Sequence, residues 1–275
     1  MISIIIPFKD KIELLQKCLE SILQKTSYEN YEVILVDNNS VEEKTDEYLK
    51  RFANNEKIKN LDYADQFNFS AINNFAVKHA KGEYLLFLNN DTEVISENWL
   101  EEMLKCFEDE KVGAVGVKLL YPNGAIQHAG VMLEEKRLAI HAFRTWKEEE
   151  IKFDEPREWG AVTAACMMTR KDLFEKIGGF DEKNLPIAYN DVDYCLKLRD
   201  LGHKIICTPH AKLYHHESAS RKSDVKNIYK LLAPIKFLKF RKLERYRKFL
   251  QEQKYMRKRW GSEIANDPFY DEKFI

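Results

Sequence analysis

A chain of 275 residues is long enough for one large domain or two small ones with a substantial core. Its 44% hydrophobic and 32% charged residues are ordinary for a soluble globular protein, and no apolar run approaches the roughly 20 residues of a membrane-spanning helix. The formal charge of −1 combines 13 Lys and Arg against 3 Asp and Glu between Asp224 and Trp260, a balance of +10, with −11 on the remainder.

A basic tail on an acidic body points either to an anionic partner, such as a membrane surface, or to a helix whose charges are merely solvated. The cysteines Cys18, Cys106, Cys166, Cys195 and Cys207 are odd in number and form no CxxC pair, which fits a reduced, cytoplasmic setting.

The opening "MISIIIPFKD" has a short apolar stretch, no basic leader and no small-residue cleavage site, so it reads as a first strand rather than a signal peptide. Further β-branched apolar runs follow at "YEVILVDN", "EYLLFLNN" and "VGAVGVKLL". The intervening "KIELLQKCLESILQK", "VEEKTDEYLKRFAN", "SAINNFAVKHAKG" and "SENWLEEMLKCF" carry apolar residues three and four apart, as helices do. The alternation predicts an α/β fold with a mixed, mainly parallel sheet flanked by helices. The first three strands end in polar residues: Lys9-Asp10, Asp37-Asn38-Asn39-Ser40 and Asn89-Asn90-Asp91. In a parallel sheet these ends share one edge, where open α/β sheets place their ligands.

The second half is less regular. "YPNGAIQHAGVML" predicts a hairpin turning at Asn123-Gly124. "KEEEIKFDEPRE" is a charged loop or lid, "WGAVTAACMMTR" a buried strand, and "KDLFEKIGGF" a short helix ended by Gly178-Gly179. "NDVDYCLKLRDLG" reads as a helix with acids in its first turn, each stabilising the helix dipole by roughly 0.3–1 kcal/mol, and "HKIICTP" as a strand. "AKLYHHESASRKSD" then closes the body. The division expected is a domain over residues 1–223, with a nucleotide-binding half to about residue 110 and an acceptor and catalytic half from 111, then a basic helical extension over 224–275.

Six segments in order resemble the family 2, GT-A fold glycosyltransferases that build bacterial O-antigen, capsule and related surface glycans. They are "SIIIPFKD", "VILVDNNS", "NFSAINNFAVKHAKGEYLLFLNNDTEV", "ACMMTRKDLFEKIGGFDE", "YNDVDYCLKL" and "LYHHESASR". The resemblance implies a GT-A (Rossmann-like) fold and an inverting transfer of a sugar from a UDP- or dTDP-activated donor to a hydroxyl of a glycan or lipid-linked acceptor. It sets Phe8, Asp10, Asp37, Asn39, Asn68, Asn73, Asn74, Asn89 and Asn90 on the donor side, Asp37 being suited to accept the imide N–H of uracil or thymine. An Asx turn is the alternative for Asp37, helix capping for Asn68, Asn73 and Asn74, and a turn or cap for Asn89 and Asn90.

"NNDTE" stands where the family has Asp-x-Asp, so Asp91 matches the acid that meets a divalent cation, Mg²⁺ or Mn²⁺. Asn89 departs from that pattern, which should weaken metal affinity. In "YHHES", His215 is the expected metal partner with His216 the alternative, and Arg221 and Lys222 are candidates for neutralising diphosphate. Asn190-Asp191 match the family's Glu-Asp pair, making Asp191 the general base, while Asp193 braces the helix. Trp159, Asp181 and Asn190 fall on the acceptor side, although Trp159 is equally suited to the core.

Two rival readings are a catalytically silent nucleotide-sugar or glycan-binding module and a nucleotidyltransferase. The second normally opens with a Gly- and Arg-rich phosphate loop, which "PFKDKIELL" lacks. The location expected is the cytoplasm, at the inner face of the plasma membrane if residues 224–260 bind anionic lipid; no nucleic-acid partner is expected.

Overall fold

The computed structural model describes residues 1–216 and 235–275. The predicted first strand is β1 (Ile2–Phe8), and it is followed by α1 (Ile12–Lys25), β2 (Tyr31–Asp37) and α2 (Glu43–Lys50). Next come β3 (Ile58–Asp62), α3 (Phe69–Val77), β4 (Tyr84–Leu88), β5 (Thr92–Val94) and α4 (Trp99–Lys105). β3 and β5 escape sequence reading: β3 is an edge strand in which only Ile58 is buried, and β5 has three residues.

The second half holds β6 (Val112–Leu120), β7 (Ile126–His128), β8 (Val131–Glu134), β9 (Leu138–His141), β10 (Arg157–Glu158) and β11 (Cys166–Arg170). It ends with α5 (Lys171–Lys176), α6 (Asn190–Asp200), β12 (Lys204–His215) and α7 (Ile235–Ala265). The hairpin expected at Asn123-Gly124 joins β6 to β7. The segment from Trp159 is a strand only from Cys166 onward. β12 is longer than "HKIICTP" and takes in Tyr214 and His215; its register against β6 slips between Thr208 and Lys212, around Pro209, which cannot donate a ladder hydrogen bond.

The main sheet has the order β10-β12-β6-β11-β4-β1-β2-β3. β4, β1, β2 and β3 are parallel neighbours, as are β6 and β12, while β11 runs antiparallel to both β4 and β6. This is the mixed, mainly parallel sheet expected from the alternation. β1 and β6 are buried on both faces, which explains their unbroken apolar sequences.

Ile12, Leu15, Cys18, Leu19 and Ile22 of α1 pack on one face, with Trp99, Leu100 and Met103 of α4. Ile72 and Ala76 of α3, Phe174 of α5, and Tyr194 and Leu198 of α6 pack on the other. Met256, Trp260 and Ile264 of α7 join that second core, so the latter half of the basic helix is packed against the body rather than solvated all round.

Trp159 is fully buried among Phe143, Phe153 and Phe274, with the Arg157 guanidinium over its ring. Gly130 lies against that ring at φ +117, and a Cβ there would sit 2.3 Å from Trp159 Cδ2. Neither the backbone conformation nor the space accepts a side chain. Gly130→Ala should therefore lower stability by about 1–3 kcal/mol in urea unfolding, the range of overpacked cores.

Candidate active site

Because β11 runs against β4, its first residue meets the last of β4, pairing Cys166 with Leu88. The chain just before β11 is thereby held at the carboxyl edge of the parallel strands. There the Ala165 carbonyl accepts from the Asn89 N–H at 3.0 Å, and the Ala164 N–H donates to Asp191 Oδ2 at 3.2 Å. Two successive residues thus join the turn after β4 to the first turn of α6.

The turn itself is Asn89-Asn90-Asp91. Thr92 Oγ1 donates to the Asn89 carbonyl at 2.9 Å, and β5 then pairs with the end of β12, setting Thr92 opposite His215. His215 Nε2 lies 3.2 Å from Asp91 Oδ1 and 3.3 Å from Asn89 Nδ2, and both Asp91 and His215 are buried. Burial pushes the Asp91 carboxyl up, but the hydrogen bond and charge of His215 outweigh it and hold the group below its ordinary value. His216 turns instead to Glu93, with 3.3 Å between Nε2 and Oε2.

Two cis ligands of an octahedral ion at roughly 2.1 Å lie roughly 3.0 Å apart. The 3.2 Å between Asp91 Oδ1 and His215 Nε2 matches that edge, and a carboxylate with an imidazole is a donor pair suited to Mn²⁺. Among the described residues no group of three or more His, Cys, Asp or Glu converges as a complete metal site. The pair therefore fits an ion that takes its remaining ligands from water or a bound anion.

Asp191 is half-buried in the first turn of α6. Burial raises its carboxyl above the ordinary value, only partly offset by the N–H groups of Ala164 and Val192 and the Thr163 hydroxyl. Asp193 points away: it is fully buried, 2.9 Å from Lys197 Nζ and 2.8 Å from the Trp260 indole nitrogen, which donates to it. That is the bracing role expected of it.

The donor-side candidates divide into two groups. Asp37 Oδ1 accepts from the Ser40 N–H at 2.9 Å, three residues on, and Asp10 Oδ1 accepts from the N–H groups of Val41 (2.6 Å) and Glu42 (3.0 Å). Asn39 donates to the Ala64 carbonyl at 2.9 Å. These contacts tie the loops after β1, β2 and β3 into one rim, while Phe8 closes β1 with its ring in the core.

The α3 candidates face elsewhere. Asn68 caps α3 by accepting from the Ala71 N–H and donates to the Glu182 carbonyl at 2.9 Å. Asn74 exchanges bonds with Phe180, at 2.9 and 3.0 Å, and Asn73 donates to the Phe69 carbonyl at 2.8 Å. Asn68 and Asn74 thus hold the loop over 180–185, as Ser70 does through the Leu185 carbonyl, while Asn73 bonds within α3. Asn90 is half-buried in its turn.

On the acceptor side, Trp159 has no exposed face on which a sugar could stack, since core packing encloses it. Asp181 accepts from Asn184 and from the Tyr255 hydroxyl of α7, and Asn190 is buried with its amide on the Ile187 carbonyl. Arg221 and Lys222 lie outside the described residues.

The glycosyl transferase family 2 model matches residues 3–178, a stretch running from β1 through α5. The chain belongs to that family. Similar curated proteins include the O-antigen biosynthesis protein RfbC of Myxococcus xanthus, 43% identical over 230 residues, which are 81% of this chain and 18% of that protein. The uncharacterized protein y4gI of Sinorhizobium fredii is 38% identical over 276 residues, 98% of this chain and 29% of that one. The family 2 chain thus spans less than a third of either relative.

Among solved structures, GalNAc-T7 with UDP, GalNAc and Mn²⁺ gives a TM-score of 0.65 at 18% identity, covering 78% of this chain and 43% of that one. The mannosyltransferase PcManGT from Pyrobaculum calidifontis, with GDP-Man and Mn²⁺, gives 0.58 at 17%, covering 78% and 56%. These likenesses carry the GT-A fold.

Two features of this family 2 chain were not legible in sequence. His128 of β7, fully buried, lies 2.9 Å from His141 of β9 between their Nδ1 atoms. Burial and the charges of His141 and His215 push His128 well below its ordinary value. The second feature is the reach of α7 to the segment before Asp191 through Glu252 and Gln253, which no local pattern marks, since the helix also carries Glu244 and Glu263.

The Asp91–His215 contact yields a direct test. His215→Ala removes the hydrogen bond and the charge that lower the Asp91 carboxyl most, so that carboxyl should titrate higher than in wild type, followed by carboxyl-carbon NMR.

Proposed function

We propose that this family 2 chain is an inverting glycosyltransferase that moves a sugar from a UDP- or dTDP-sugar to a hydroxyl of a growing surface glycan. The observation carrying this reading is the pair of bonds at Ala164 and Ala165, which couples Asp191 to the Asn89–Asp91 turn. Such a frame sets a proton acceptor beside a station for a charged leaving group. A silent binding module would not need both.

In the reaction, Asp191 accepts the proton of the acceptor hydroxyl while that oxygen attacks the anomeric carbon. The bond from that carbon to the diphosphate oxygen breaks on the opposite face, so the configuration inverts and no covalent intermediate forms. Asp91 and His215 would hold Mn²⁺ or Mg²⁺, which when bound supplies positive charge to the departing diphosphate. Asp37, with Asp10 and Asn39 bracing its loop, receives the base of the donor nucleotide. Residues 1–110 supply the donor half and 111–223 the catalytic half, with 224–275 as the helical extension. Burial raises the Asp191 carboxyl, which makes it a stronger proton acceptor than an ordinary aspartate.

The first half of α7 supports a membrane-facing role at the inner face of the plasma membrane. Among the described residues, Tyr246, Phe249 and Leu250 are exposed at 58%, 38% and 43%, and Ile187, four residues before Asp191, is exposed at 37%. An apolar patch within a segment of charge +10 is complementary to an anionic bilayer, where each Lys or Arg contributes about 1 kcal/mol. A lipid-linked acceptor would then lie beside the base. No helix of the described residues is long and apolar enough to cross a membrane.

Asp191→Asn should lower transfer by about 10²–10⁴-fold while donor affinity stays within a few fold, read as released nucleoside diphosphate over a panel of donors and acceptors. In wild type, the acid limb of kcat/KM should lie above the ordinary aspartate range, because the base is lost as pH falls through its raised pKa. Near-normal turnover in the variant removes Asp191 from the mechanism. In the same assay EDTA should abolish turnover, and Mn²⁺ should restore it.

Binding of wild type to anionic but not neutral vesicles, weakened by salt and by Tyr246→Ser with Leu250→Ser, is the expected co-sedimentation result. Indifference of the intact protein to anionic vesicles would end the membrane reading. Whole-helix deletion is the poorer test, since Met256, Trp260 and Ile264 belong to the core.

A further inference from the structure

α6 begins without a capping side chain of its own. Its N-cap residue Tyr189 sits at φ 58, ψ 7, a left-handed conformation that costs a large L residue free energy and persists only where neighbours enforce it. Those neighbours come from α7. Glu252, only 3% exposed, turns Oε1 onto two successive backbone N–H groups, those of Ile187 at 2.9 Å and Ala188 at 3.2 Å. Gln253 Nε2 donates to the Tyr189 hydroxyl at 3.0 Å, and Phe249 stacks on the Tyr189 ring at 5.7 Å between centroids. Asn190 then binds back to the Ile187 carbonyl at 3.3 Å, and the next residue is Asp191.

The spacing along the chain argues against an incidental cap. A stability cap for α6 would be met by a Ser, Thr, Asp or Asn at the N-cap position itself. Here a buried carboxylate reaches the turn from 64 and 65 residues away. A buried carboxylate carries a desolvation cost that two N–H donors offset only if all three groups stay in place.

Two further bonds from the same helix restrain both flanks of the turn. The Tyr255 hydroxyl donates to Asp181 Oδ2 at 2.7 Å, and the Trp260 indole to Asp193 Oδ1 at 2.8 Å.

We propose that Glu252 is a positioning residue for Asp191: by holding the N–H groups of Ile187 and Ala188 it locks the Tyr189 turn and so sets the Asp191 carboxylate against Ala164. The proposal rests on the reading of Asp191 as general base. It gives the C-terminal helix a part in catalysis through the turn that precedes Asp191. Displacing a base by about an ångström costs on the order of 10²-fold in rate, while a donor site formed by other elements is unaffected.

The test pairs hydrogen–deuterium exchange with kinetics on the full chain. In Glu252→Ala the amides of Ile187 and Ala188 should exchange at least about tenfold faster, kcat should fall by about 10–100-fold, and the Kd for UDP or dTDP should stay within about twofold. Glu252→Gln keeps an acceptor oxygen at the same reach and should restore both kcat and slow exchange, which a general loss of stability would not predict. A folded Glu252→Ala with unchanged exchange, or with faster exchange but kcat within about twofold of wild type, overturns the proposal.

If Glu252→Ala does not fold, Gln253→Ala removes only the bond to the Tyr189 hydroxyl; it should lower kcat without changing the nucleotide Kd, and an unchanged kcat overturns the proposal. Should wild type transfer no sugar from any donor, the reading of Asp191 as base fails, and with it the catalytic part of this proposal. The exchange result then still decides whether Glu252 holds the turn.

Discussion

The reversed direction of β11 is the constraint on which the site depends. A purely parallel sheet would carry the chain away from the carboxyl edge between β4 and its next neighbour. Because β11 starts where β4 stops, the residues ahead of Cys166 are fixed at that edge by Leu88 and Asn89. Asp191 and the Asn89–Asp91 turn then share one stretch of backbone as their reference. Backbone donors and acceptors suit this task, since they have no rotamers to lose and must be paired in any buried setting.

β12 completes the arrangement from the other side. Its partner β6 packs beside β11, and its last residues pair with β5, which follows Asp91 directly. His215 is thus carried to Asp91 by a strand whose register is set in the core. The slip around Pro209 absorbs the mismatch between the two ends of a twelve-residue strand, leaving the Leu213–His215 pairing regular. A side chain placed by a sheet ladder is held more tightly than one on a loop, which fixes the Asp91–His215 contact.

Buried charges fasten the C-terminal segment to this frame. Asp193 meets Lys197, Arg259 and the Trp260 indole, while Asp267 meets Arg199 at 3.1 Å and the Leu133 N–H at 2.8 Å. Pairs of this kind contribute little net stability, because desolvation offsets most of the attraction, yet removing one partner strands the other. Their consequence here is geometric. They make α7 and the residues after it continuous with α6, so the extension is tied to the element that carries Asp191. The apolar patch of Tyr246, Phe249 and Leu250 lies on the same helix, two to six residues before Glu252, and its Phe249 stacks on Tyr189.

Local pattern alone determined the alternation of strands and helices through β4 and α4, because strands buried on both faces and amphipathic helices write their periods directly into the sequence. The polar endings of β1, β2 and β4, the Asn123-Gly124 turn, the acids opening α6 and the motifs that mark the family are equally local, and each was legible. Edge strand β3 and three-residue β5 were not, since neither has a face buried along enough residues to leave a pattern.

Tertiary structure alone decided which partners the polar candidates meet. Asn68 and Asn74 resemble Asp10 and Asp37 in sequence, yet the first pair is committed to the loop over 180–185 and the second to the rim of the parallel strands. Trp159 suits a sugar or a core equally well until Phe143, Phe153 and Phe274 enclose it. The contacts from α7 to the turn before Asp191 span more than sixty residues, and no periodicity records a pairing at that distance. Residue type and spacing fix what a side chain can do; which partner it meets depends on strand direction and long-range packing, and these are properties of the whole fold.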